Sequence, residues 1–378
     1  MAAGQQSEDE SVPVPFAHLL LLTVAVLPLF YVIDSGVNVV LLACLCVYVG
    51  CWRSVKPLPP VDAMTKKDAL KFPLIGSAVL LGLFLVFKLL PKELINRILT
   101  FYFMSLGALA CTATILPFVT VLVPFRRRGN VFEWKKFSVP YFMKEPTDIA
   151  TSIPEIISAL LSLAFCCWYQ WEKHWLANNI LGLAFSIQGI EHLSLGAVQT
   201  GVILLSGLFF YDIFWVFFTP VMVSVATSVD APIKLLFPRP VDPLSINPKP
   251  FSMLGLGDIV IPGIFVALIL RYDAKLKFTS HYFRSAFASY GLGLTATILV
   301  MNWFSAAQPA LLYIVPAVLG GVGLHALLKH EFKLLFDHAE DEAPSEDKDD
   351  KDSKAKQGAV STLEQRPASP QRATKKGA

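Results

Sequence analysis

The sequence predicts an all-α polytopic membrane protein of about nine transmembrane helices. Three observations carry that expectation. The 378 residues are 54% hydrophobic and only 16% charged, whereas about a quarter of a soluble domain is charged. The apolar residues fall in runs of roughly eighteen or more, long enough to cross the hydrocarbon layer of a bilayer. The runs are continuous rather than alternating, which argues against a β-barrel. The net charge of +3 excludes little; where Lys and Arg sit says more.

Nine strong spans are predicted, at about 37–52, 73–91, 99–124, 151–170, 176–192, 200–220, 253–270, 283–304 and 309–328. An earlier apolar stretch, Phe16–Ile33, lacks the basic leader of a signal peptide. It reads as a tenth span, an interfacial helix, or half of a bent hairpin turning at Asp34, Ser35 and Gly36. Basic loops follow the first, third and seventh strong spans ("RSVKPLPPVDAMTKKDALKF", "RRRGNVFEWKKF", "RYDAKLKFTSHYFR"). Nine spans put these loops on one side, which the positive-inside rule makes cytosolic. The C-terminus then faces the cytosol and the acidic N-terminus the lumen. Four regions follow: an N-terminal segment over 1–36, spans one to five over 37–192, spans six to nine over 193–328, and a tail over 329–378. The tail is too polar to bury a core and is expected to be disordered.

Two consecutive late spans each carry one acid at membrane depth, where a carboxylate is costly and marks a functional site by default. Asp212 stands in "GLFFYDIFWVFF" and Asp258 in "MLGLGDIVIPGIFVALILR". Asp212 lies about twelve residues in from Thr200, and Asp258 about twelve residues before Leu270. At about 1.5 Å per residue, both sit about 18 Å from the same membrane face. Two close carboxyls in a low dielectric share a proton. The ionised one can then activate water while the protonated one polarises a peptide carbonyl. Gly255 and Gly257 remove side chains beside Asp258, leaving room for substrate backbone. From the pair alone, three roles stay open: catalysis, proton- or ion-coupled transport, and structure.

Three motifs narrow the choice. Tyr211–Asp212 ("YD"), Gly255–Asp258 ("GLGD") and Gln308–Leu311 ("QPAL") occur in order on three late spans. Together they resemble the GxGD intramembrane aspartic proteases, the presenilin and signal peptide peptidase family. The short connection from Asp230 to Phe251 resembles the signal peptide peptidase branch. The likeness covers about Val37 to Leu328. It implies a presenilin-like helical fold with the active site between the sixth and seventh spans. Asp212 and Asp258 would be the catalytic dyad. Tyr211, Gly255, Leu256, Gly257, Gln308, Pro309, Ala310 and Leu311 would shape the site or position substrate. The resemblance also implies an intramembrane endopeptidase that cuts signal peptide remnants and type II transmembrane segments. The alternative kept beside it is a transporter using the same carboxylates, although the inverted repeats expected of one are not visible.

Neither HExxH nor GxSxG occurs, so no metal and no organic cofactor is expected. Expected partners are transmembrane peptides, the lipid bilayer and a further copy of the chain; nucleic acid is not among them. Lys375 and Lys376, in the terminal "ATKKGA", resemble a dilysine retrieval signal, implying an endoplasmic reticulum address and a coat protein at the tail. Other polar residues read as structural. Glu191 and His192 end the fifth span, Lys88 snorkels to the interface, and Asp230 and Lys234, in the lumenal connection, could pair there without any chemical role. The six cysteines, all in apolar runs, read as packed thiols.

Overall fold

In hydrocarbon every backbone N–H and C=O needs a partner within the protein, so apolar runs fold as helices. The computed structural model describes residues 13–31, 34–55, 63–123, 130–137, 147–238, 251–304 and 308–336. All its elements lie in one unit, Met1–His338. In chain order they are α1 (Pro13–Val26), α2 (Ser35–Ser54), α3 (Lys66–Leu89), α4 (Lys92–Leu122), β1 (Asn130–Phe137) and β2 (Thr147–Ser152). Then come α5 (Ile153–Glu172), α6 (Trp175–His192), α7 (Val198–Phe217), α8 (Val221–Ser228), β3 (Lys234–Pro238) and β4 (Phe251–Gly255). The last are α9 (Gly257–Lys275), α10 (Tyr282–Phe304), α11 (Leu311–Leu328) and α12 (Phe332–Phe336).

Helices occupy all nine positions of the expected spans. Seven of them are long and apolar enough to cross a membrane by length and composition: α2, α3, α4, α5, α7, α10 and α11. The other two, α6 and α9, pack inside the bundle, where helix neighbours replace lipid. The run Ile264–Leu270 of α9 is buried throughout, as expected of a helix apolar on every side. Around it pack α2, α6, α7, α10 and α11. By contrast α3 contacts α7 and α8 while Leu74, Ile75, Val79 and Leu85 stay exposed, a lipid-facing surface.

The described residues of the Phe16–Ile33 stretch form one arm of a hairpin with α2. Its helix α1 has 14 residues, about 21 Å at about 1.5 Å per residue, short of the bilayer core. It packs on α2 through Ala17, Leu21 and Ala25. Asp34 makes the corner: its side chain accepts hydrogen bonds from the amides of Gly36 and Val37 and so caps α2.

Helix ends also register the bundle. The carboxyl ends of α2 and α6 are tied by Arg53–Glu191, a buried ion pair at 2.6 Å, and Arg53 donates to the Ala113 carbonyl of α4. Pro117, four residues on, has no N–H to satisfy that carbonyl. Met64, before α3, bridges to Leu195, before α7.

Two findings depart from the expected helices. Two antiparallel hairpins, β1–β2 and β3–β4, occur. The seventh span was expected from residue 253, but Met253–Gly255 is strand and the helix starts at Gly257. Burial along Phe251–Gly255 alternates, a period-two pattern hidden inside an apolar run. The amides of β4 pair with β3, Leu236 opposite Met253. The other edge of β3 is held by α6, where Asn179 gives and takes hydrogen bonds with Leu236 at 2.7 Å. The expected Asp230–Lys234 pair is also corrected. Asp230 pairs with Lys173, while the Lys234 ammonium donates to the carbonyls of Ala226 and Val229. Those carbonyls end a helix, where a cation is favoured.

Candidate active site

Asp212 lies on α7, buried at 3% exposure among apolar neighbours. One of its oxygens, Oδ2, accepts a hydrogen bond from the Leu311 amide at 3.0 Å. Leu311 is the first residue of α11, so that N–H has no acceptor within its own helix. The acid on α7 therefore serves as a cap for a distant helix. This puts Asp212 at the positive end of the α11 dipole, where a negative charge is favoured.

Asp258 is held differently. It is the second residue of α9 and sits at the positive end of its own helix. The chain enters from β4, and Leu256 closes the ladder by donating its amide to the Ile233 carbonyl at 3.1 Å. This strand-to-helix corner sets Asp258 at the start of α9, which packs on α7. Asp212 is the charged neighbour that acts on Asp258. By surface exposure Asp258 is half-buried while Asp212 is closed off.

The glycines beside Asp258 are not demanded by the fold. Neither Gly255 nor Gly257 has a positive φ. A Cβ at Gly255 would meet Asp258 Oδ2 at 3.4 Å, and one at Gly257 would meet Ile261 at 3.9 Å. These are van der Waals distances, the first at their near limit. Gly201 and Gly263 differ, since a Cβ there would collide with Phe265 at 2.5 Å and Ile190 at 2.6 Å. The open space beside Asp258 is thus not used to pack the protein itself. Gly255 and Met253 are exposed, and among the described residues no strand pairs with the free edge of β4.

The other expected residues divide into two groups. Pro309, Ala310 and Leu311 are buried at the start of α11, with Gln308 half-buried before them, and the Ala310 carbonyl accepts from Thr297 at 3.4 Å. Leu256 packs against Gly182 of α6. Tyr211 turns its ring to α3, where a Cβ on Gly76 would touch it at 3.6 Å. It flanks Asp212 in the chain but packs away toward Trp215. Lys375 and Lys376 lie outside the described residues.

One neighbour was missed in the sequence. Tyr290 of α10 is fully buried, and its hydroxyl donates to the Asp258 carbonyl at 3.5 Å. Pro262 explains why that carbonyl is available. It stands four residues after Asp258, where an ordinary residue would supply the helical N–H. The proline four residues past the acid was the available signal, but only the fold brings in the tyrosine.

Comparison with known proteins agrees with this geometry. A family profile described as signal peptide peptidase matches residues 56–342. The chain is 42% identical to mouse signal peptide peptidase, over 95% of this chain and 93% of that one. It is 42% identical to the human protein of that name, over 88% and 85%. A probable intramembrane protease of Schizosaccharomyces pombe is 36% identical, over 83% of this chain and 98% of the other.

Proposed function

Since the chain belongs to the signal peptide peptidase family, it is an intramembrane aspartic protease, and we propose that Asp212 and Asp258 are its catalytic dyad. The observation that carries this reading is the convergence of both carboxyls at helix amino ends, beside space that the fold does not fill. One shared proton resides on the pair. The ionised carboxyl takes a proton from water as the water oxygen bonds to the peptide carbonyl carbon. The protonated partner gives its proton to the carbonyl oxygen, forming a gem-diol. The C–N bond then breaks: the nitrogen takes a proton from one carboxyl, a gem-diol hydroxyl returns its proton to the other, and acid and amine leave with one proton again on the pair. No further group is required.

Substrate backbone must be extended to present a peptide bond, because a helix hides its carbonyls. Gly255 and Gly257 leave room for it, and the free edge of β4 offers it unpaired hydrogen-bonding groups. The Leu311 amide holds Asp212, and Pro309, Ala310 and Leu311 form the far wall. Tyr211 braces α7 against α3. Transport through the same carboxylates has no support in the relatives named above.

The family acts on transmembrane segments within the bilayer. The finer reading is that this chain takes signal peptide remnants and type II segments. The N-terminus then faces the lumen and the C-terminus the cytosol. The basic loops support this orientation. So does the meeting of the carboxyl ends of α2 and α6 with the late part of α4 at one face. An endoplasmic reticulum address would rest on Lys375 and Lys376, read by a coat protein. The decisive experiment reconstitutes the chain in vesicles with two synthetic substrates, one segment in type II and one in type I orientation. The type II segment is cut, and Asp258→Ala cuts neither. Equal cutting of both orientations overturns the orientation, and cutting by Asp258→Ala overturns the dyad.

A further inference from the structure

Away from the acids, a cavity of about 510 Å³ opens where α2 and α9 end and α10 begins. Its wall is aromatic. The Trp52 ring stacks on Phe278 at 5.9 Å and meets Phe283 edge-on at 6.3 Å. Tyr48 stands 5.7 Å from Phe287 and 6.1 Å from Trp52. Asp273 lines the same cavity and is 1% exposed. Its Oδ2 accepts the Phe283 amide at 2.6 Å, which caps α10. Its Oδ1 is buried and has no hydrogen-bond partner among the described residues, and the Trp52 indole N–H has none either. His281 and Arg284 also line the cavity and are exposed; among the described residues neither forms an ion pair with Asp273.

A packing cluster alone does not account for these facts. A buried carboxylate oxygen without a partner is costly. The turn is also strained: Lys277, Phe278 and His281 hold φ of 53°, 57° and 58°, each about 1–2 kcal/mol unfavourable for a residue with a side chain. Strain persists where the surroundings enforce it and collects at binding sites.

We propose that this cavity binds the headgroup of a quaternary-ammonium phospholipid, a choline lipid, at the membrane–water boundary. Aromatic faces attract a weakly hydrated cation, and Asp273 Oδ1 supplies the charge that balances it. Arg284 and His281, at the mouth, meet the phosphate, where guanidinium binding is strong. A lipid is the source because of what lies beyond the mouth. Val37 and Leu41 on α2 and Leu292 and Leu299 on α10 are exposed, on two helices that pack together. Leu292 and Leu299, seven residues apart, share one face of α10 beyond Phe287, and acyl chains run from the mouth along that face.

The test uses the full chain in detergent, with bound lipid counted by native mass spectrometry. Phosphatidylcholine, phosphatidylethanolamine and phosphatidylglycerol are titrated separately, and free phosphocholine is the competitor. The wild type retains phosphatidylcholine about tenfold better than phosphatidylglycerol, the ratio expected for about 1.4 kcal/mol of cation recognition. Asp273→Asn keeps an acceptor for the Phe283 amide and so keeps the start of α10, but loses that preference. Trp52→Leu loses it independently, and carries the test if the Asn variant misfolds. Equal retention of the choline and glycerol lipids by the wild type overturns the site. So does an unchanged preference in both variants. Tighter retention of phosphatidylethanolamine overturns the quaternary headgroup. Competition by free phosphocholine as effective as by the lipid overturns the lipid as occupant.

Discussion

The two acids proposed as the dyad, Asp212 and Asp258, rest on two kinds of support. Asp212 sits within a regular helix and borrows the amino end of another, through the Leu311 amide. Asp258 sits at the first turn of its own helix, directly after a strand. The first is closed off and the second is half-open. The difference teaches that the carboxyl on α7 is enclosed, while the one on α9 stands beside space that the fold leaves open. It also explains why the glycines stand next to Asp258 only. No such space is needed beside a carboxyl that substrate does not approach along the chain.

The largest effect expected is from breaking the pair itself. Asp212→Asn and Asp258→Asn each lower cleavage by about 10²–10⁴-fold or more, the range for lost acid–base catalysis. Cleavage of a reporter segment in proteoliposomes measures this, and a single variant with full activity removes the dyad. The comparison sharpens at the glycines. Gly255→Val should lower cleavage by about 10- to 100-fold, since small misplacements at reacting atoms cost that much, while the thermal midpoint barely moves. A large loss of stability instead would mean that the fold needs the glycine. Next is Tyr290→Phe, which removes the hydroxyl on the Asp258 carbonyl. One hydrogen bond is worth about 0.5–1.5 kcal/mol net, so cleavage falls roughly 2- to 10-fold; an unchanged rate would show that the hydroxyl does not position the acid. The smallest effect sets the floor. Lys173 and Asp230 pair in the open, with side chains 46% and 55% exposed. Lys173→Ala shifts stability by less than about 1 kcal/mol and leaves cleavage unchanged, checked by thermal unfolding and the same reporter.

Helices α3 and α9 show why some of the fold was legible and some was not. Helix α3 faces lipid and is simply apolar, so hydropathy finds it. Helix α9 is as apolar on average but carries Asp258, Arg271, Asp273 and Lys275, and it lies at the centre of the bundle, where no lipid face marks it. Its start was misplaced because Met253–Leu256 is as apolar as a span. Whether such a segment becomes strand depends on β3, about fifteen residues earlier, and on Asn179 of α6. Tyr290 was likewise illegible, because nothing local links it to residue 258.

By itself the sequence determined the class, the run of apolar helices and the three motifs, because these depend on composition and local order. Matched depths on antiparallel spans already brought the two acids to one level. Tertiary structure alone decided which backbone groups meet them. A free helix amide, a carbonyl released by a proline and a strand edge left open are properties of packing between distant segments. The same holds for Asp273, whose two oxygens are told apart only by what packs against each, one capping α10 and the other buried without a hydrogen-bond partner among the described residues.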